Sequence, residues 1–219
     1  MADSDQSKGL PAPPTEKPYN EKDLIYLPNP IDVDLKKRDI IDIIDSRESK
    51  RIPYGEFTLN ELSFLLWATY GVRINNNPDK QKRTVPSAGS RYPFDTYVLV
   101  LNVKNLKKGL YRYIWSKQAV IPISISEESI EDFKRYTMPV GAINIFWVIV
   151  PYRGEWRYMQ HSHKACALDA GHMGQNGYLA AEALGRGCCA IGGYSQPDID
   201  RLLGLDGVDE FTCYIEAFM

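Results

Sequence analysis

The longest helical candidate in the sequence runs from Ala165 to Leu184, and it constrains the fold more than any other stretch. Gly185 follows it, and glycine is typical of the position at which a helix ends. Small residues lie on several faces of this helix: Ala167, Ala170, Gly171, Gly174, Gly177, Ala180 and Ala181. A helix with so few bulky side chains lets another element or a ligand approach its backbone closely. The run therefore predicts either a central core helix or a helix at a subunit interface.

Strand and helix signals interleave along the rest of the chain. Strands are predicted over residues 95–102, 109–114, 143–151, 188–194 and 212–218. Helices are predicted over residues 36–46, from a capping box at Thr58 to Gly71, from Ser126 to Tyr136, and from Gln196 to Leu203. The polar residues 72–84 are predicted to form an exposed loop. Because strands and helices alternate without a regular βαβ repeat, we expect an α+β fold in which helices pack on a sheet.

Composition limits the class of protein. Of the 219 residues, 44% are apolar and 25% are charged, as in ordinary soluble globular proteins. We expect one domain over residues 23–219 after a disordered tail over residues 1–22, which are polar, contain prolines and lack a hydrophobic signal core. The net charge of −2 argues against a nucleic-acid-binding protein, and no apolar run reaches the ~20 residues of a membrane span. The expected location is the cytoplasm, unless a signal sequence has been removed.

The cysteines and histidines argue against a metal site. The four cysteines are Cys166, Cys188, Cys189 and Cys213. They contain no C-x-x-C spacing, which suits a reducing compartment and argues against a zinc ribbon. The three histidines are His161, His163 and His172. Positions two and nine apart do not give the close pair of ligands that positions i and i+4 give on a helix. We therefore predict no metal site.

Two short segments carry residues suited to an anionic ligand. The first, residues 47–51 (RESKR), has three basic residues and a hydroxyl within five positions, and guanidinium forks and a serine hydroxyl pair well with phosphate oxygens. The second, residues 86–94 (PSAGSRYPF), packs small residues, hydroxyls and an arginine into a tight loop, so backbone N–H groups can approach a ligand. The alternative is a solvated basic turn followed by an ordinary loop, and the residues alone leave both interpretations open.

Five segments match the motifs of one known family, in that family's order. They are R-x-S-x-R at residues 47–51, ELSFLLWATYGV at 61–72, RTVPSAGSRYPFDTYVLV at 83–100, GLYRY at 109–113 and DAGHMGQNGYLAAEALGRG at 169–187. The chain resembles the FMN-dependent nitroreductase superfamily and is most similar to its SagB-type branch, which contains the azoline oxidases. The resemblance spans about residues 38–218. It implies an α+β nitroreductase-like fold with a central, mostly antiparallel sheet and flanking helices, built as an intertwined homodimer with two FMN sites at the interface.

The resemblance also implies three groups of cofactor-binding residues. The group on the FMN phosphate and ribityl end is Arg47, Ser49 and Arg51. The group that reaches the flavin from the partner subunit is Pro86, Ser87, Ala88, Ser90 and Arg91. The group beside the isoalloxazine ring is Ile191, Gly192 and Gly193. A backbone N–H within reach of the flavin N5 tunes the atom that takes and gives the hydride.

The sequence departs from the family pattern at two points. The family places a lysine or arginine on the phosphate after the last strand, whereas this sequence reads YIEAFM there and carries Glu216; either Arg91 or another group substitutes, or the chain is short. The azoline oxidases use a lysine–tyrosine pair for proton transfer before the long helix, and the counterpart here is Arg157 and Tyr158. We take these two as the candidate catalytic residues, although arginine stays protonated and is a poor general base.

The leading hypothesis is an FMN-dependent oxidoreductase. It takes hydride from NADH or NADPH and passes electrons to a nitroaromatic, a quinone or another small-molecule acceptor. Two alternatives stay open: a SagB-type dehydrogenase of a small molecule or a peptide azoline, and a flavin-binding protein without turnover. Four side chains are candidates to line the substrate pocket, or else belong to the core or an interface: Trp156, Tyr158, His172 and Tyr194.

Overall fold

The structure, a computed structural model, describes residues 3–74 and 82–219. The strands in these ranges are β1 (Ile25–Tyr26), β2 (Phe94–Val100), β3 (Gly109–Ile114), β4 (Ala119–Ile123), β5 (Ile143–Ile149), β6 (Cys188–Ile191) and β7 (Phe211–Phe218). They form one sheet in the order β1-β4-β3-β2-β5-β7-β6, with antiparallel neighbours throughout. The α-helices are α1 (Ile40–Ser46), α2 (Leu59–Tyr70), α3 (Glu127–Tyr136), α4 (Pro151–Tyr158), α5 (Ser162–Leu184) and α6 (Gln196–Leu203). The expected α+β fold with an antiparallel sheet is confirmed.

Helices cover both faces of the sheet. α2 and α5 lie on one face, and α3 and α6 on the other, each pair over its own cluster of buried apolar residues. β5 shows the division, because Ile145 and Trp147 belong to the first cluster while Phe146 and Val148 belong to the second. Successive side chains of a strand point to opposite faces. A strand buried on both faces therefore has the strongly apolar sequence that predicted β5.

α5 is the central helix of the molecule, as one of the two sequence interpretations predicted. It begins three residues before the predicted start and ends at Gly185, whose φ of 71° is left-handed. A Cβ atom on Gly174 would lie 2.6 Å from a ring carbon of Tyr214, and one on Gly177 would overlap the carboxyl of Glu216. The small residues thus let β7 pack directly against the helix. A role for α5 at a subunit interface stays a prediction.

Local signals predicted most other elements. Thr58 and Glu61 form the expected capping box at the start of α2, and Ser126 caps α3 through the N–H of Ser129. α1 begins at Ile40 rather than at residue 36, because the carboxylate of Asp39 accepts the N–H groups of Ile41 and Asp42 as an N-cap.

Three elements were missed, and one predicted loop lies partly outside the described residues. β1 is only two residues long, β4 contains Pro122, and α4 begins with Pro151 directly after β5, so none has a long periodic signal. Within the predicted loop 72–84, Val72 and Arg83 form an isolated antiparallel bridge, while residues 75–81 lie outside the described residues. None of the helices in the described ranges is both long enough and apolar enough to cross a bilayer.

The N-terminal residues differ from the prediction. The described part of the predicted tail packs on the domain through a segment that we call the N-terminal strap (residues 4–18). Pro14 O accepts from Arg153 Nε at 2.9 Å, and Pro18 O accepts from Arg112 Nη2 at 2.7 Å. Buried donors require acceptors, and the proline-rich strap offers backbone carbonyls that no helix or strand uses. The prediction of a disordered tail over residues 1–22 is therefore wrong for the described residues.

Candidate functional site

The segment that follows α1 carries a hydroxyl and two arginines above the C-terminal half of α5. Arg47 is the C-cap of α1, and its Cζ atom lies 5.3 Å from the centre of the Tyr178 ring. Ser49 Oγ lies 2.8 Å from the phenolic oxygen of Tyr178. Arg51 is exposed and makes no hydrogen bond or ion pair within the described part of the chain. The structure therefore brings Arg47 and Ser49 together at Tyr178 and leaves Arg51 free beside them.

Lys50 is committed to a structural ion pair. Its Nζ donates to Glu182 Oε2 at 2.8 Å, and Lys37 Nζ donates to the other carboxylate oxygen at 2.7 Å. Burial raises the pKa of Glu182, but hydrogen bonds from the two ammonium groups outweigh this effect and bring the pKa to about 2. Of the basic residues in the predicted phosphate segment, Arg47 and Arg51 thus remain for a ligand.

Tyr178 connects this segment to the predicted glycine turn. Its phenolic oxygen accepts from the N–H of Ala190 in β6 at 2.9 Å. β6 ends at Ile191, which is buried, and the chain continues through Gly192 and Gly193. Both glycines are exposed, and a Cβ atom built on either would have nothing within 4 Å. The backbone at this turn is therefore open to a ligand.

The predicted loop at residues 86–91 is held against the other half of α5. The N–H of Tyr92 donates to Ser87 Oγ at 2.9 Å, while the Ser87 hydroxyl and the Ala88 N–H both donate to the carboxylate of Asp169. Burial raises the pKa of Asp169, and these two hydrogen bonds oppose the rise. Asp169 was not predicted as a site residue, since its only signal was its position at the start of the DAGH run.

The backbone of this loop is unusually tight. Gly89, Ser90 and Tyr92 have φ values of 57°, 53° and 47°, in the left-handed region that costs non-glycine residues about 1–2 kcal/mol each. Pro86 and Ser90 are exposed. The contacts of Ser87 and Ala88 with α5 therefore hold the exposed residues of the loop in one conformation.

α4 brings the two candidate catalytic residues to the same loop. A Cβ atom on Gly89 would overlap the phenol of Tyr158, so the tyrosine lies directly on the loop. The Arg157 Cζ atom lies 5.4 Å from the centre of the Tyr158 ring. Arg91 Nε donates to the carbonyl of Arg153 at 3.0 Å, and its Cζ lies 4.6 Å from a ring centre of Trp156. Tyr158, Arg157 and Arg91 thus form one group with the loop.

The two groups of predicted site residues are separate within one chain. The first lies around Tyr178 and the second around Asp169, and these residues are nine positions apart in α5. A rise of 1.5 Å per residue places them about 14 Å apart along the helix axis. One chain therefore contains two separate groups of candidate residues. We name them after the predictions: the phosphate half (Arg47, Ser49, Arg51, Tyr178 and the turn at Gly192) and the loop half (Ser87, Ala88, Arg91, Arg157 and Tyr158).

Glu216, the departure noted in the last strand, is a core residue. It is 0% exposed, its Oε1 lies 3.6 Å from Cys188 Sγ, and its Oε2 has no hydrogen-bond partner among the described residues. Burial raises the pKa of Glu216 well above its usual range. Arg91, the suggested substitute on the phosphate, lies in the loop half and not beside Arg47 in the same chain.

The remaining candidates divide between core and surface. Trp156 is buried and donates from Nε1 to the carbonyl of Leu10, and Tyr194 donates its hydroxyl to the carbonyl of Thr212. His172 is exposed on α5.

All four cysteines are free, and three of them are buried. Within residues 3–74 and 82–219, no three histidine, cysteine or acidic residues form a group that could hold a metal ion.

Comparison with known proteins identifies the family. A sequence profile described as the nitroreductase family matches residues 48–217. The chain belongs to the nitroreductase family. Membership places it among oxidoreductases. A protein of Methanocaldococcus jannaschii assigned as nitroreductase MJ1384 is 29% identical to this nitroreductase-family chain over 177 residues, which cover 78% of this chain and 86% of that protein.

A second relative supports the branch suggested by the motifs. The microcin B17-processing protein McbC of Escherichia coli is 24% identical over 141 residues. The match covers 59% of this nitroreductase-family chain and 51% of McbC, so the chain spans about half of McbC.

Solved structures show the same fold. A structure from Ralstonia eutropha JMP134 described as a nitroreductase has a TM-score of 0.72 at 21% identity and covers 95% of this chain and 97% of its own. The NADPH:FMN oxidoreductase of Vibrio harveyi, solved with NAD+, has a TM-score of 0.55 at 17% identity. The match covers 81% of this chain and 66% of the Vibrio harveyi chain. At these identities the likeness establishes the nitroreductase fold alone.

Proposed function

We propose that this member of the nitroreductase family is an FMN-dependent oxidoreductase. It accepts hydride from NADH or NADPH and reduces a nitroaromatic, a quinone or another small acceptor. It works as a homodimer with two flavin sites, each made of the phosphate half of one subunit and the loop half of its partner.

One observation carries the proposal: Tyr178 joins the basic segment to the glycine turn. Its hydroxyl contacts Ser49 Oγ at 2.8 Å and accepts from the Ala190 N–H at 2.9 Å. An anion-binding segment and an exposed stretch of backbone are thereby fixed relative to each other. A ligand with a phosphate at one end and a flat ring at the other needs such an arrangement.

The residues fit FMN in their chemistry. Arg47 and Arg51 have no carboxylate partner within the described ranges, so both guanidiniums are available to phosphate oxygens. Gly192 and Gly193 have open space where side chains would stand, which admits a ring beside the backbone. When bound, the flavin supplies the hydride and electron chemistry. In this proposal the protein binds the phosphate, orients the ring and excludes water.

The loop half supplies the groups that face an acceptor. Tyr158 lies on the loop at Gly89 and has a phenolic O–H that can donate a proton or a hydrogen bond. Arg157 stays charged, so its role is to hold an anion or stabilise negative charge, and not to act as a general base. Ser87 is fixed by Asp169 and Tyr92, which keeps the loop in one shape.

Two observations support the dimer. The halves are about 14 Å apart along α5 in one chain, so a site that uses both within one subunit must span that distance. α1 also exposes three large apolar side chains, with Ile40 at 57%, Ile41 at 73% and Ile44 at 58% exposure. An apolar helix face of this kind marks an interaction surface. A second copy of the chain is the proposed occupant.

The first experiment is binding of FMN and of riboflavin, which lacks the phosphate. Arg47→Ala/Arg51→Ala is expected to bind FMN at least ~10-fold more weakly and riboflavin about as well as the wild type, because hydrogen bonds to charged groups each contribute roughly 1.5–3 kcal/mol. Lys134→Ala/Arg135→Ala, on α3 at the other face of the sheet, is the charge-matched control. A wild type that keeps no flavin spectrum after incubation with FMN and desalting would end the proposal.

Mixed dimers test the shared site. Arg47→Ala/Arg51→Ala lacks the phosphate half, and Tyr158→Phe with Ser87→Ala lacks the loop half. If each site draws on both subunits, a refolded 1:1 mixture recovers about a quarter of wild-type NAD(P)H oxidation, since half of the dimers are mixed and each has one intact site. No recovery, with mixed dimers shown by mass spectrometry, would mean that each site lies within one subunit.

A second candidate function is oxidation of an azoline in a small molecule or peptide. The match to McbC, a microcin-processing protein, and the contact of Tyr158 with the loop favour it. This reaction needs a proton-transfer group, and Tyr158 is the candidate. Turnover of an azoline substrate by the wild type but not by Tyr158→Phe would support this function. A flavin that neither nicotinamide nor any acceptor turns over would instead indicate a flavin-binding protein.

A further inference from the structure

We infer that Arg91 and Arg157 form an anion-binding site beside Tyr158, and that the preferred electron acceptor therefore carries a carboxylate or phosphate group. The inference rests on the proposed function, because it names the class of substrate for the same site. It assigns to the two arginines a role in substrate selection.

Arg91 has donor capacity that the protein leaves unused. Its Nε donates to the carbonyl of Arg153, and its guanidinium stacks at 4.6 Å from a ring centre of Trp156. Its Nη2 atom is buried and has no hydrogen-bond partner among the described residues. A buried N–H without an acceptor is unfavourable, the more so when the group is charged. A bound anion would remove that cost.

Arg157 adds a second positive charge at the same place. It is half-buried, stacks on the Tyr158 ring at 5.4 Å and has no ion pair within the described ranges. Burial lowers the pKa of Arg91, and the charge of Arg157 lowers it further, so the two guanidiniums repel each other. Two neighbouring guanidiniums that have no carboxylate partner among the described residues are suited to bind an anion.

The nearby carboxylates are engaged elsewhere. Asp169 accepts from the Ser87 hydroxyl and the Ala88 N–H, and Glu155 lies 2.8 Å from the imidazole Nε2 of His163. Neither forms an ion pair with Arg91 or Arg157. Guanidinium forks match the paired oxygens of carboxylate and phosphate, which an ammonium group does not. The site therefore selects for a planar or tetrahedral oxyanion next to the Tyr158 hydroxyl.

The anion has two conceivable sources, the acceptor and the phosphate of FMN. The shared chemistry is an oxyanion held by two guanidiniums. A comparison of FMN with riboflavin separates the sources. If Arg91→Gln and Arg157→Gln weaken the binding of FMN much more than the binding of riboflavin, the anion is the cofactor's phosphate and the inference is overturned.

The direct test is the binding of 4-nitrobenzoate and of its neutral analogue 4-nitrobenzamide to the FMN-loaded protein by calorimetry. We expect the wild type to bind the benzoate at least ~10-fold more tightly, and each of Arg91→Gln and Arg157→Gln to lose about ten-fold of that preference. Arg201→Gln, an exposed α6 residue paired with Asp198, is the control and keeps the preference. Arg91→Lys is expected to restore part of it.

Kinetics with the same pair gives the second readout. The ratio of kcat/KM for the benzoate to that for the benzamide should fall about ten-fold in each arginine variant, whatever happens to the rate with the amide. Equal preference in the wild type and both variants overturns the inference. Because binding does not need turnover, tight binding of the benzoate without reduction would reject the proposed function and keep the anion site.

Discussion

Ser49 and Tyr178, 129 residues apart in the sequence, meet through their hydroxyl oxygens at 2.8 Å. Tyr178 also accepts from the N–H of Ala190, so one phenol fixes the basic segment and β6 together. Neither interaction depends on a charge. A single oxygen atom is therefore responsible for the alignment of the phosphate half.

Tyr178→Phe tests this alignment. The variant leaves Ser49 and the Ala190 N–H without a partner, so we expect a loss of about 1 kcal/mol of stability and several-fold weaker binding of FMN. Stability is measured by urea denaturation, and affinity by quenching of flavin fluorescence. Tyr26→Phe, at a 65% exposed tyrosine, is the control. An unchanged FMN affinity in a folded Tyr178→Phe protein would remove Tyr178 from the site.

Glu182→Gln tests the ion pairs with Lys37 and Lys50. The folded pKa of about 2 lies below the usual value of 4.5, so the carboxylate stabilises the fold above pH ~4.5, and this contribution is lost as the pH falls toward 2. The lysines are 37% and 28% exposed, so screening limits the contribution to about 1–2 kcal/mol. The variant should be less stable than the wild type at pH 7, and the difference should shrink below pH ~4.5 and be nearly gone at about pH 2 in denaturant titrations. A difference that does not depend on pH would contradict this assignment.

Glu216→Gln should show the opposite dependence on pH. Burial raises the pKa of Glu216 in the folded chain well above its usual value of 4.5, so the folded chain holds this proton to a higher pH than the unfolded chain does. Proton binding by Glu216 therefore contributes to the free energy of unfolding. This contribution is fully present below pH 4.5 and is lost as the pH rises toward the folded pKa. Glutamine has a similar shape and no proton to lose, so the variant should gain stability relative to the wild type as the pH rises above ~4.5. Thermal unfolding at several pH values measures this, with Glu128→Gln on the surface as the control. A variant that falls below the wild type as the pH rises would show that Glu216 is ionised in the folded protein.

Removal of residues 2–18 tests the N-terminal strap. Arg112, Arg153 and Trp156 would lose carbonyl acceptors, and a buried donor left without a partner costs roughly 1–3 kcal/mol. We expect a loss of several kcal/mol in urea denaturation and faster proteolysis within α4. Lys8→Ala, at an exposed position in the strap, is the control.

A milder variant keeps the strap prediction testable if the truncated chain does not fold. Glu16→Gln leaves the strap in place and removes the carboxylate that attracts the buried Arg83. It should lower stability by less than the truncation does. Equal urea midpoints for the wild type and both variants would show that the strap contributes nothing.

The sequence predicted those helices and strands whose signals lie within a few neighbouring residues. Thr58 and Glu61 are three residues apart, and their capping box was read directly from the residue types. Ser87 and Asp169 are eighty-two positions apart, and no local pattern connects an aspartate on a helix to a distant loop. The N-terminal strap was missed for a related reason, because its contacts use backbone carbonyls and leave no trace in side-chain periodicity. Motif resemblance supplied the candidate residues of both halves, which stay predictions, but it did not point to Tyr178 and Asp169, which contact them.

The strap also affects how the chain assembles during synthesis. Pro14 contacts Arg153 across 139 residues, and Lys17 contacts Glu210 across 193. Both contacts are long-range, so Pro14 and Lys17 find their partners only after the segments that contain Arg153 and Glu210 have been synthesised. A nascent chain halted after α4 would contain Arg153, the partner of Pro14, but not Glu210, the partner of Lys17. The strap is therefore fully docked only after the segment that leads into β7 has been synthesised.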